Sequence, residues 1–187
     1  MKFKKLKLDN FRYLLISSSI SAFMSGIFGP FYVLYVQNLA GGVENFGIAF
    51  GLITLSSSIT SYFVGRYSDK IGRKPFLICS SFVSAALLIS YVFIKTVPQL
   101  FIIQVLSGIG DSVWVISEKT FLSDITKKKS RGRIMGKYDA ILGTLRGTTM
   151  LFGGFLVGIM GFEIIFYLMA AAIVVSAIPL FFIKEKR

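Results

Sequence analysis

The sequence contains no histidine and one cysteine, Cys79, among its 187 residues. Without imidazole there is no ordinary base near neutral pH and no nitrogen ligand for a metal. A single thiol can form neither an internal disulfide nor a thiolate metal cage. Acidic groups are also scarce: nine Asp and Glu stand against 21 Lys and Arg, for a net charge of +12. No paired carboxylates, metal-ligand cluster or nucleotide-binding P-loop occurs in the chain. An enzyme, a resident metal and a cofactor are therefore not expected. Any work done must draw on an ion gradient (protons among the possibilities) or a solute gradient, unless another subunit supplies the energy.

What is abundant is apolar. Hydrophobic residues make up 54% of the chain, and mean hydropathy is +0.72. A bilayer core about 30 Å thick is crossed by roughly 20 apolar residues in a helix. Tyr13 to Val36, Asn45 to Gly65, Pro75 to Ile94 and Ile164 to Ile183 carry no charge at all. Gln99–Leu122 and Met135–Met160 are as long and carry a few charges. The expectation is an all-α membrane protein, one domain over 1–187, with spans near 12–36, 45–65, 75–94, 99–122, 134–160 and 163–183. The basic start followed by an apolar run is also how a signal peptide opens, but this run passes Gly29-Pro30 and continues to Val36. That exceeds the roughly 7–15 residues of a signal's apolar region, so a retained first helix is expected.

The cations alternate between the two sets of loops. Lys2, Lys4, Lys5, Lys7 and Arg12 precede the first span, and Arg66, Lys70, Arg73 and Lys74 separate the second from the third. Lys127, Lys128, Lys129, Arg131, Arg133 and Lys137 lie between the fourth and fifth, and Lys184, Lys186 and Arg187 follow the sixth. The other loops hold one cation, Lys95. Such asymmetry keeps basic loops in the cytoplasm, which places both termini there in a multi-pass protein of the cell membrane. The positive charge is explained by topology and anionic lipid, and no nucleic-acid partner is expected.

Polar residues concentrate on particular helix faces. Gln104, Ser107, Asp111, Trp114 and Glu118 follow one another at three or four residues in the fourth span. Asp139, Gly143, Arg146, Thr149 and Gly153 do the same in the fifth, and serines and threonines recur in the first and second. Hydrocarbon cannot satisfy such stripes, so spans one, two, four and five are expected to surround a polar space, with three and six facing lipid. Asp111 lies about 18 Å along its helix from Gln99 at 1.5 Å per residue, and Arg146 at comparable depth in the fifth span. An unpaired charge there costs roughly 2.5–3.5 kcal/mol, so the two are expected to approach each other. The solute and ion pathway is thus assigned to Asp111, Trp114, Glu118 and Arg146, with Met24 and Phe28 as lesser cavity residues. Asp111 would exchange a proton or meet a cationic group, Arg146 would tune it or meet an anion, and Trp114 would stack the solute. A purely structural ion pair, simple packing of Trp114, and pairing of Glu118 with Lys119 or a cytoplasmic loop are the alternatives.

Between the second and third spans stands Gly65-Arg66-Tyr67-Ser68-Asp69-Lys70-Ile71-Gly72-Arg73-Lys74-Pro75. Gly72 suits a tight turn, Pro75 suits the first turn of a helix, and Asp69 is a lone carboxylate among cations. Gly65 is expected to permit close backbone approach. This loop resembles the signature loop of the major facilitator superfamily, and Arg131-Gly132-Arg133 resembles its counterpart between the fourth and fifth spans. Gln104 and Ser107 stand where many members have arginine and glutamine. Gly143 and Gly153-Gly154 resemble the family's antiporter pattern, with Thr149-Met150 in place of its central Gly-Pro.

The resemblance implies a six-helix half-transporter built as two inverted three-helix repeats. It also implies a cytoplasmic gating loop formed by Gly65, Asp69, Lys70, Gly72, Arg73 and Lys74, with Asp124 and Arg131 as latch partners. The implied activity is transport of a small solute by alternating access, with proton-coupled export suggested by the antiporter pattern. A second six-helix half is the expected partner, either another copy of the chain or a separate subunit. The alternatives are a fragment of a twelve-helix transporter and a non-transporting assembly or sensor protein that reuses the fold.

Overall fold

The computed structural model describes residues 2–29 and 32–185, and the side chains of these apart from 2–6, 28 and 40. Phe28, Pro30, Lys186 and Arg187 therefore lie outside the described side chains. The chain is helical almost throughout: α1 Lys2–Phe28, α2 Tyr32–Ala40, α3 Val43–Ile71, α4 Lys74–Val92, α5 Val97–Ile125 and α6 Arg131–Phe181. No strand occurs among the described residues.

The helix ends follow from local chemistry. Gly41 and Gly42 adopt φ of 60° and 66° to turn α2 into α3. Gly72, at φ 104°, donates its N–H to the Ser68 carbonyl at 3.1 Å and lets α4 begin two residues later. Pro75 occupies the first turn of α4, where its missing N–H costs nothing. At the head of α5, Gln99 Oε1 accepts from the Lys95 and Thr96 amides at 2.9 and 3.2 Å. These contacts satisfy amides that a membrane helix would otherwise leave bare.

α6 is 51 residues long and contains one non-helical residue, Gly161, at φ 75° and ψ 167°. Tyr138 and Leu180 belong to one buried cluster. A straight helix would hold them about 63 Å apart at 1.5 Å per residue, so α6 folds back on itself at Gly161. Its two arms act as separate crossings. α2 continues α1 after a 50° bend, and α3, α4 and α5 are each long and apolar enough to cross. Six crossings result.

Two apolar clusters confirm the up-and-down order. Leu14, Leu77, Phe121, Leu122, Tyr138, Leu142, Leu180 and Ile183 pack together at the end carrying the basic loops. Val36, Ala49, Tyr91, Ile94, Leu100 and Phe166 pack at the other end, where Tyr35, Tyr91, Phe162 and Phe166 form an aromatic box.

Two close crossings lock the bundle. A Cβ at Gly26 would overlap Thr149 Oγ1 and the Arg146 carbonyl oxygen. A Cβ at Gly108 would overlap Ser56 Oγ and the Ile53 carbonyl oxygen. The first span thus crosses the fifth as the fourth crosses the second. That reciprocity is what two inverted repeats of three helices require.

Candidate functional site

A cavity of about 450 Å3 opens within the bundle at membrane depth, with Ser18, Ser21 and Ser25 of α1 on one wall. Ser107, Asp111, Trp114 and Glu118 of α5 form the facing wall, and Leu142 and Arg146 of α6 close a third side. All four pathway residues from the sequence therefore line a common space. Their spacing on α5 turns Asp111, Trp114 and Glu118 to the same side, as helical geometry demands.

The third span corrects an expectation. It does not simply face lipid: Ser81, Ser84, Leu87, Leu88 and Tyr91 of α4 line the cavity, and Met169 and Ile173 come from the sixth span. The second span contributes Ile53. Its hydroxyls are satisfied elsewhere. Thr54 and Ser58 donate to their own helix at Phe50 and Thr54 carbonyls, both 2.8 Å, and Ser61 pairs with Ser112 at 2.9 Å. A serine that bonds the carbonyl one turn back needs no polar space, which is why the stripe on α3 misled.

Glu118 anchors the cavity towards the basic end. Ser18 of α1 donates to its carboxylate, and Tyr138 of α6 donates to it at 2.7 Å. One carboxylate therefore ties three spans together. Ser18 is expected at the polar space as one of the first span's polar residues, but its contact with Glu118 and the part played by Tyr138 escape the sequence reading, because nothing in the local pattern shows that the three meet.

Asp111 and Arg146 are not paired, contrary to expectation. Among the described residues Asp111 makes no hydrogen bond or ion pair, and Arg146 Nε donates to Ser25 Oγ at 3.2 Å. Both side chains are exposed within the cavity. They nonetheless share a level. The Ser18–Glu118 contact sets a common depth for the antiparallel α1 and α5. Ser25 is seven residues beyond Ser18, and Asp111 seven before Glu118, so both lie about 10.5 Å above that contact. Equal depth was legible from counting residues, while the rotation that keeps the charges apart was not.

Trp114 is half-buried, lines the cavity and packs against the cluster at the basic end. Met24 also lines the cavity. At the outer end, Tyr91 lies in hydrogen-bonding contact with Ser107 and Gln104.

The gating loop forms a second polar centre at the basic end. Arg73 is buried. Its guanidinium donates to Ser68 Oγ at 2.9 Å, pairs with Asp69 and stands 3.4 Å from Asp124 Oδ2. Arg131 donates instead to the Ser123 carbonyl at 3.1 Å and makes no ion pair with Asp69. Lys74 Nζ caps the last turn of α6, donating to the Phe181 and Ile183 carbonyls at 2.7 and 2.9 Å. Glu185 adds a contact that sequence reading missed. Its carboxylate accepts the Arg73 and Lys74 amides at 2.6 and 3.3 Å, where negative charge favours a helix start. A Cβ on Gly72 would strike that carboxylate. Lys70 is exposed. A Cβ at Gly65 would meet no neighbour within 4 Å, so close approach inside this bundle does not explain that glycine.

A profile of the Major Facilitator Superfamily matches residues 14–187. The chain is 31% identical over 145 residues to the uncharacterized MFS-type transporter YitZ of Bacillus subtilis, covering 78% of this chain and 88% of that one. It is 29% identical over 169 residues to the multidrug resistance protein MdtG of Klebsiella pneumoniae, covering 88% of this chain but 41% of MdtG. It is 26% identical over 142 residues to the uncharacterized MFS-type transporter MJ1560 of Methanocaldococcus jannaschii, covering 76% of this chain and 37% of that one. Gating loop, intramembrane charges, six crossings and these likenesses converge: the chain belongs to the major facilitator superfamily of membrane transporters.

Proposed function

We propose that this bundle is one half of a secondary transporter that moves a small solute by alternating access. The observation that carries this reading is the cavity itself, in which Asp111, Glu118 and Arg146 are gathered at a depth where hydrocarbon would not solvate them. Water and a solute must reach these groups. The second wall of the pathway comes from another six-helix bundle, most simply a second copy of the chain.

The face available for that bundle is formed by α3 and the first arm of α6. Leu55, Tyr62, Leu151 and Phe155 are 63%, 72%, 81% and 71% exposed there. On the same two elements Gly47 and Gly51, and Gly143 and Gly147, would each meet nothing within 4 Å if given a Cβ. Glycines four apart with open space above them allow another helix to approach closely. The 145 aligned residues are 88% of YitZ, so that relative also has about the size of one bundle.

In this reading the basic loops are cytoplasmic, both termini lie on that side of the cell membrane, and the loop centred on Arg73 latches the two bundles. Glu118 carries the proton. Protonation would weaken its hold on Ser18 and Tyr138 and free α1 and α6 to move. The name of MdtG, a multidrug resistance protein, favours export.

Crosslinking in native membranes and flux in proteoliposomes test the proposal together. A band of doubled mass, or a defined heteromer, with solute-driven proton movement is expected. An active, uncrosslinkable single bundle would contradict it.

A further inference from the structure

Asp111 and Arg146 present an unusual arrangement. Opposite charges within a membrane normally close on each other, because each is costly alone. Here they stand at one depth on different walls of one cavity, unpaired with each other. Asp111 has no hydrogen-bond partner among the described residues. Arg146 lines the cavity and donates through Nε to Ser25, and its two terminal nitrogens make no hydrogen bond among the described residues. A planar fork of that kind is shaped for a carboxylate or a similar anion. A bare carboxylate is shaped for an ammonium.

We infer that the solute is zwitterionic, its cationic group met by Asp111 and its anionic group by the Arg146 fork, with its apolar part against Trp114. The inference rests on the transport reading above and names the class of solute for that cavity. A singly charged solute would satisfy one wall and leave the other charge unmatched. A zwitterion neutralises both at once and adds no net charge to the occupied cavity, so it lets a closed, dry state form around it. The apolar lining from Leu87, Leu88, Leu142 and Ile173 suits a solute with an apolar or aromatic side group.

The chain supplies its own reporter, since Trp114 is its sole tryptophan and faces the cavity. Its emission is to be followed in the purified full-length protein during titration with phenylalanine, phenylalanine methyl ester and N-acetylphenylalanine. At about pH 6 these are zwitterion, cation and anion respectively. Phenylalanine is expected to act at concentrations roughly tenfold lower than either analogue. Asp111→Asn should weaken the amino acid and the ester equally and leave the N-acetyl compound unchanged. Arg146→Gln should weaken the amino acid and the N-acetyl compound and leave the ester unchanged. Ser25→Ala, which releases the Arg146 tether without touching Asp111, should alter the N-acetyl compound and the amino acid but not the ester.

An ester that binds as tightly as phenylalanine, with Arg146→Gln silent, would overturn the inference in favour of a cation site while leaving transport intact. No emission change with any of the three would overturn it as well. Failure of the transport reading is read separately, from the absence of a crosslinked pair and of solute-driven proton movement.

Discussion

The crossing at Gly26 and the crossing at Gly108 are built alike and serve different ends. Each sets a glycine of one repeat against a hydroxyl side chain and a backbone carbonyl three residues apart on a helix of the other repeat: Arg146 and Thr149 in one case, Ile53 and Ser56 in the other. Around them the chemistry diverges. The second repeat places Asp111, Glu118 and Arg146 in the cavity, whereas α1 and α3 bring the uncharged Ser18, Ser21, Ser25 and Ile53. Packing symmetry is carried by small residues, whose requirement is mere absence of bulk. Function breaks that symmetry by adding charge to one repeat. The two loops at the basic end differ in the same way: Arg73 is buried among Ser68, Asp69 and Asp124, while Arg131 bonds one carbonyl.

The comparison can be broken first at the crossings. Gly26→Val and Gly108→Val should each destabilise by about 3 kcal/mol, because the overlapping atoms include backbone that cannot step aside. Thermal unfolding in detergent should show similar losses for the two. A silent variant at either site would end the claim of equivalence.

Next come the loops. Arg73→Gln should cost about 2 kcal/mol and Arg131→Gln less than about 1 kcal/mol, by the same unfolding measurement, since buried Arg73 holds two carboxylates and a hydroxyl whereas Arg131 holds one carbonyl. Glu118 and Asp111 then separate stability from transport. Glu118→Ala leaves the Tyr138 and Ser18 hydroxyls without their acceptor, at about 1–2 kcal/mol. Asp111→Asn removes a group with no partner, so stability should stay within about 0.5 kcal/mol while solute flux is lost. Retained flux would remove Asp111 from the pathway. The smallest effect is expected at Thr54→Ala and Ser58→Ala, within about 0.5 kcal/mol, because these exposed hydroxyls bond their own helix.

Much of this is legible in the sequence alone. Charge-free runs mark crossings because hydrocarbon thickness fixes helix length, and the face bearing Asp111, Trp114 and Glu118 follows from residue spacing alone. Serine is the ambiguous letter. Ser81 of α4 lines the cavity although it donates to the Leu77 carbonyl at 2.9 Å, and Thr54 and Ser58 of α3 donate to their own helix without lining it. Composition cannot distinguish these cases, since each hydroxyl carries its own local acceptor one turn away. Contacts such as Glu185 with the head of α4 span 112 positions and leave no periodic trace. Helix rotation is the other hidden variable. Depth can be counted along a helix, but whether Asp111 meets Arg146 depends on how two helices are turned.

The central claim is that the cavity, and not the outer surface, is reached by water. Labelling by a membrane-impermeant maleimide tests it directly, with Cys79 replaced by serine and single cysteines placed at Ser84 and Phe82. These positions are two residues apart on α4, one lining the cavity and the other exposed on the bundle's outside. Ser84→Cys should react, and more slowly when solute is bound, while Phe82→Cys should resist. Equal resistance at both positions would contradict the account.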